Sequence, residues 1–174
     1  EINMPFHVIQ NDIVTMQVDA IVNAANTALK AGEGVCKAIF NAAGHERLQQ
    51  ACDRIGHCAV GEAVATDAFA LTANYVIHTP GPIYIDGNHN EERLLHACYI
   101  SSLSLASTLD CSSIAFPLIS SGIYGYPKDQ AIQTAIRAIN EFLQTHEMQV
   151  YLVLYDRDSY ELATTMLSQK TRAR

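Results

Sequence analysis

A chain of 174 residues fits one domain, residues 1–174, and is long enough to bury a core without disulfide or metal staples. With 49% hydrophobic and 17% charged residues it is excluded from the disordered class, and no apolar run approaches the roughly 18 residues of a membrane span. Eleven basic residues against eighteen acidic ones give a net charge of −7. No basic patch marks a nucleic-acid binder, so neither nucleic acid nor a membrane is expected as a partner.

The chain opens on Glu1 instead of Met, which reads as a trimmed chain or a domain excised from a longer protein. Glu1 to Gln10 shows no basic start or cleavage motif, so no signal peptide is expected. Phe6–Ile9 and Ala20–Ala24 read as strands. Val35, Ile39 and Ala43 recur at i, i+4, i+8 and predict a helix, and Leu48, Cys52 and Ile55 predict a second. Ala63–Ala68 and Tyr75–Thr79 read as strands. A helix follows with Leu94 or Leu95, Cys98, Ser102 and Leu105 on one side, its start marked by Glu91 and Glu92 as a solvated turn. Ser113–Ile119 is a buried-type strand. Ile132, Ala135, Ile139 and Leu143 form another helical stripe, Val150–Tyr155 a strand, and Ser159–Leu167 a closing helix. The basic tail Lys170–Arg174 reads as a solvated end. Strands alternating with helices of this length imply an α/β sandwich around a mostly parallel, twisted sheet.

Ligands of such sheets sit beyond the carboxyl ends of the strands. That rule gathers Ala24–Val35, Thr79–Pro82, Ile119–Tyr126 and Tyr155–Asp156 on one rim. Two of these segments carry chemistry. In Asn23–Ile39 a strand runs into a loop with Gly32 and Gly34 before a helix, and amides at a helix start bind anions without cationic side chains. In Ile119–Pro127, Ser120, Ser121 and Gly122 offer hydroxyls and amides in an anion nest, while Tyr124 and Tyr126 could wall a ring-shaped ligand. Two such loops on one rim suit a ligand with two phosphates. The phosphate-binding loop of ATPases is absent. So is the dinucleotide fingerprint, because Lys37 stands where a third glycine would follow Gly32 and Gly34.

The stretches DAIVNAAN (Asp19–Asn26), YVIHTPGPI (Tyr75–Ile83) and FPLISSGIYGYP (Phe116–Pro127), with the glycine loop between them, resemble the macrodomain family in order and spacing. The likeness runs from about Phe6 to the last helix. It implies a three-layer α/β/α sandwich with a central mixed, mostly parallel sheet, binding of ADP-ribose, and for many members removal of ADP-ribose from proteins or of the acyl group from O-acetyl-ADP-ribose. ADP-ribose or an ADP-ribosylated protein is the partner so implied, and no cofactor is.

The resemblance also implies roles. Asp12 would accept the adenine amino group, with Ile13 beside it, and Tyr155 would line the adenine pocket. Asn26 would hold the distal ribose. Gly32, Glu33, Gly34, Val35 and Cys36 form the first loop, around the distal ribose and phosphates. Ser120, Ser121, Gly122, Ile123 and Tyr124 form the second, on the pyrophosphate, with Tyr124 flanking the distal ribose. Asn26, Gly34 and Tyr124 are the implied catalytic set. One position departs. Deacetylase-type members read G-G-G-V-D here, and this chain reads GEGVC, as certain viral macrodomains do, so Cys36 replaces the aspartate proposed to activate water. Two readings follow: a hydrolase whose water is assisted by a substrate phosphate oxygen, and a reader that binds ADP-ribose and releases it unchanged.

Cys36 sits at a helix start, which lowers a thiol pKa, but no His is near in sequence, and a small packing residue is the role expected. His57-Cys58 opens like a phosphatase loop, yet Val64 stands where that loop needs an arginine. Cys52, His57 and Cys58 have no zinc-ligand spacing, so no metal is expected. His78 reads as a hydrogen-bonded structural histidine. The odd count of five cysteines and the absence of an N-x-S/T sequon fit a reducing, cytoplasmic setting.

Overall fold

The computed structural model describes residues 4–172. The six strands among them are β1 (Phe6–Gln10), β2 (Ala20–Ala25), β3 (Val64–Asp67), β4 (Tyr75–Pro80), β5 (Ser113–Phe116) and β6 (Gln149–Leu154). The helices are α1 (Val35–Ala43), α2 (His45–Ile55), α3 (Glu91–Thr108), α4 (Lys128–Leu143) and α5 (Arg157–Arg172). A 3-10 turn at Ile13–Thr15, which no sequence period announced, follows β1. The side chains of the Lys170–Arg174 tail lie outside the described residues. Among the described residues, no helix is long and apolar enough to cross a membrane.

The strands form one sheet in the order β1-β6-β5-β2-β4-β3. Every neighbouring pair is parallel except β3 with β4. The exception follows from chain length, since the few residues between β3 and β4 cannot make the crossover of a dozen or more that a parallel pair needs. Successive side chains alternate between the two faces. Ala20 and Val22 of β2, Ile114 and Phe116 of β5, and Val150 and Leu152 of β6 enter one core with α3, α4 and Ala163 of α5. Ile21, Ala115 and Val153 enter the other with α1 and α2. Three layers result.

Three expectations shift. The fifth strand ends at Phe116 and does not reach Ile119, because Pro117 has no N–H to continue the ladder. On α3 the buried stripe is Leu95, Cys98, Ser102 and Ala106 with Tyr99 and Leu103 beside it, while Leu94 and Leu105 are only half-buried. Glu91 is not solvated: it is 1% exposed. Its carboxylate accepts the amides of Ile85, Asp86, Gly87 and His89 at 2.6–3.1 Å. Burial would raise its pKa, but those donors outweigh burial and hold it at about 2.

Candidate functional site

Five strands are parallel, so their carboxyl ends meet at one edge of the sheet. A cavity of about 590 Å³ opens there. The strand order fixes what each part of it is made of. At one end, the residues after β1 and β6 supply Asp12, Ile13 and Tyr155. In the middle, the loop after β2 faces the loop after β5, and Gly81 after β4 closes the other end. β6 and β4 lie three strand spacings apart, about 14 Å. Apart from Tyr126, every ligand-site residue named from the sequence lines this one cavity.

Asp12 caps the 3-10 turn, with Oδ1 accepting the Val14 amide at 3.2 Å. Ile13 is buried beneath it, and Tyr155 is 76% exposed at the lip. Asn26 grips the backbone of Lys30 with both ends of its amide: Nδ2 donates to the Lys30 carbonyl at 2.8 Å, and Oδ1 accepts the Lys30 amide at 3.0 Å. One N–H and one lone pair remain for a ligand. The first loop then turns through Gly34, whose φ of 62° and ψ of −132° suit glycine alone. No side chain caps α1 there, so the amides of its first turn stay open to the cavity.

Cys36 Sγ accepts the Gly32 amide at 3.3 Å and lies 3.7 Å from Asn23 Nδ2. Burial raises its pKa despite those two donors, so it is a thiol at neutral pH. Asn23 Nδ2 also meets His78 Nδ1 at 3.1 Å. The tautomer of His78 follows from its other neighbour. Thr66 Oγ1 donates to the Asp67 carbonyl, so at 2.9 Å it accepts from His78 Nε2–H, and Nδ1 is left as an acceptor. Burial lowers the His78 pKa to about 4. The sequence reading of a structural histidine holds.

The second loop is tied from inside. Ser120, at a φ of 67°, donates its hydroxyl to the Pro82 carbonyl at 2.8 Å, and Ser121 donates to the Leu118 carbonyl at 2.8 Å. Their hydroxyl protons are thus spent on the fold, contrary to the expectation that they face an anion. The amides of Ser121, Gly122 and Ile123 take no part in the turn's own bonds and form the nest. Tyr124 lines the cavity, but Tyr126 does not. It is 4% exposed and meets Tyr84 edge-on at 4.9 Å. Gly81 is needed because a Cβ there would strike Ser120 Oγ and Ile119.

No Lys or Arg is among the residues lining the cavity. Sequence reasoning placed Asp156 on the rim without a role and missed Ser159 beside it, where Asp156 accepts the Ser159 amide at 2.9 Å. The signal was a D-x-x-S helix start. Among the described residues, the group tight enough for a cation is Asp86, His89 and Glu91, within 4.8 Å of one another. The Glu91 carboxylate is already saturated by amides, which makes it a loop latch. Cys52, His57 and Cys58 do not gather.

A family model described as Macro domain matches residues 22–135. An O-acetyl-ADP-ribose deacetylase of Escherichia fergusonii is 45% identical over 94% of this chain and 96% of its own. A mutant Oceanobacillus iheyensis macrodomain with ADPR superposes with a TM-score of 0.90 at 36% identity, over 95% of this chain and 92% of its own. A Trypanosoma brucei macrodomain in complex with ADP-ribose superposes with a TM-score of 0.87 at 33% identity, covering 94% of this chain and 69% of its own.

Proposed function

The chain belongs to the macro domain family, and from that premise we propose that it binds ADP-ribose and hydrolyses conjugates of its distal ribose. The substrates are O-acetyl-ADP-ribose and mono-ADP-ribosylated protein. The observation that carries this reading is the cavity that sets two amide-lined loops face to face, with Asn26 and Tyr124 in its lining. Asp12 and Tyr155 take the adenine. The open amides of α1 and of Ser121–Ile123 take the pyrophosphate, which suits a lining without cations. Asn26 takes the distal ribose through its spare N–H and lone pair. In the deacetylation, water adds to the acyl carbon and the acyl–oxygen bond breaks. The ribose oxygen gains a proton, and acetate and ADP-ribose leave. With Cys36 held as a buried thiol, a phosphate oxygen of the substrate assists the water, and the loops supply orientation, which alone can lower such a barrier by several kcal/mol, roughly 7–11 in the best cases.

The Cys36 substitution favours a second reading, a reader that binds without cleaving. Incubation with O-acetyl-ADP-ribose and with mono-ADP-ribosylated protein, following acetate and ADP-ribose release, separates the two. Release of either product supports the hydrolase. ADP-ribose binding with no release moves the assignment to the reader. Five free, buried cysteines support a reducing, cytoplasmic setting as part of this reading.

A further inference from the structure

We propose that Ile83, Ile85 and Ile123 form a docking ridge for the polypeptide that carries the ADP-ribose, taken as an extended segment with apolar and cationic residues beside the modified one. This rests on the reading above. The three side chains are 61%, 64% and 85% exposed, and they are held together. The Tyr84 amide donates to the Tyr124 carbonyl at 2.9 Å, which fastens the 83–85 segment beside Ile123. The Tyr84 ring turns inward onto buried Tyr126, and its two neighbours face water. The segment is also pinned from below, since buried Glu91 accepts the Ile85, Asp86 and Gly87 amides. Exposed isoleucines on a loop anchored by a buried carboxylate are a built surface.

The position says what covers it. The ridge follows β4, at the end of the cavity opposite Asp12 and Tyr155, so it lies where the group attached to the distal ribose must leave. A small acyl group ends inside the cavity. A protein must continue across the lip. Asp86 stands exposed beside Ile85, Glu33 is exposed on the first loop, and the chain carries a net charge of −7, which favours cationic residues in the segment. A second copy of this chain fits less well. Three isoleucines, even wholly covered, fall far short of the roughly 1,000 Å² that a stable interface needs, whereas a substrate already held by its ADP-ribose needs only a small added contact.

The test is the double variant Ile83→Ser/Ile85→Ser, two residues outside the cavity lining. On mono-ADP-ribosylated protein kcat/KM should fall about tenfold, through KM, the scale of partly uncovering two large aliphatic side chains. Turnover of O-acetyl-ADP-ribose and affinity for ADP-ribose should stay within about twofold. An equal fall on both substrates, or no fall on either, overturns the ridge. If the parent does not turn over the modified protein, that part of the hydrolase reading fails separately, and the ridge is judged on binding. The parent should then bind the modified protein about tenfold tighter than free ADP-ribose, with the excess lost in the variant. Equal affinities overturn the ridge.

Discussion

The loop at 29–36 is held at its start mainly by side chains of α2, whereas the loop at 117–126 is held mainly by its own chain and the segment after β4 beside it. Gln49 of α2 accepts the Ala31 amide at 2.9 Å and donates to the Leu29 carbonyl at 3.0 Å. Lys30 pairs with Asp53 at 2.7 Å, and Asn26 grips the Lys30 backbone from below. Past Gly32, the exposed Glu33 and Gly34 carry no such tie. In the second loop, Ser120 and Ser121 spend their hydroxyls on nearby carbonyls. Buried Tyr99 donates to the Pro117 carbonyl at 3.2 Å and accepts the Ile119 amide at 3.1 Å. One loop is a preformed nest, and the other keeps its freedom at residues 33–34. Lesions in the second loop should therefore cost stability and binding together, and lesions in the first should cost turnover.

Gly81→Ala tests the rigid side and carries the largest expected effect. The added methyl meets Ser120 and Ile119, and Ser120 cannot yield without losing its bond to Pro82. We expect about 3 kcal/mol of stability lost in urea unfolding, the upper range for overpacking, and ADP-ribose binding lost with it. A variant of parental stability would mean that the second loop is not preformed.

Asn26→Ala tests the first loop. It removes the proposed ribose contact and frees the Lys30 backbone, leaving the second loop and the Asp12 end untouched. Turnover should fall about 100-fold, as for a misplaced reacting centre, while ADP-ribose affinity falls only a few-fold. Steady-state kinetics and calorimetry on one preparation decide it. Equal losses in both would make Asn26 an affinity residue.

The contrast between the loops was partly legible in the sequence. The glycines and asparagines placed both loops on one rim, because parallel strands announce themselves through alternation with helices. Which way Ser120 and Ser121 point was not legible, since a hydroxyl serves an anion or a carbonyl equally well until the backbone sets its direction. Tyr124 and Tyr126 look alike in sequence, and only the turn at Gly125 sends one to the cavity and the other into the core. Glu91 deceived for a simple reason. A carboxylate at a helix start is normally solvated, and nothing local shows that the preceding loop will fold back to donate four amides.

Beneath the first loop, His78 gives a pH test. Its pKa falls from 6.5 in the unfolded chain to about 4 when folded, so between those values the unfolded state binds more protons. Stability is fully present above pH 6.5 and is lost as pH falls toward 4. Between pH 7 and pH 5 we expect about 2 kcal/mol of loss from this group. His78→Gln should flatten that part of the profile whatever its own stability. An unchanged slope would assign the acid sensitivity to other groups.

Cys36→Ser carries the smallest expected effect and decides the chemistry of the first loop. A nucleophilic thiol needs a thiolate, and burial pushes this one the other way. It also needs a base. The imidazole of His78 lies behind Asn23, with Nδ1 accepting from Asn23 and Nε2–H given to Thr66. What the sulfur does is accept the Gly32 amide, a task that a serine oxygen can share at some cost in packing. Turnover should therefore stay within a few-fold of the parent, about 1 kcal/mol or less in barrier, measured on O-acetyl-ADP-ribose with ADP-ribose affinity as the control. A variant that binds ADP-ribose normally and turns nothing over would make Cys36 the nucleophile, because a serine hydroxyl without an adjacent base is a poor replacement for a thiolate. The substrate-assisted water proposed above would then have to be given up.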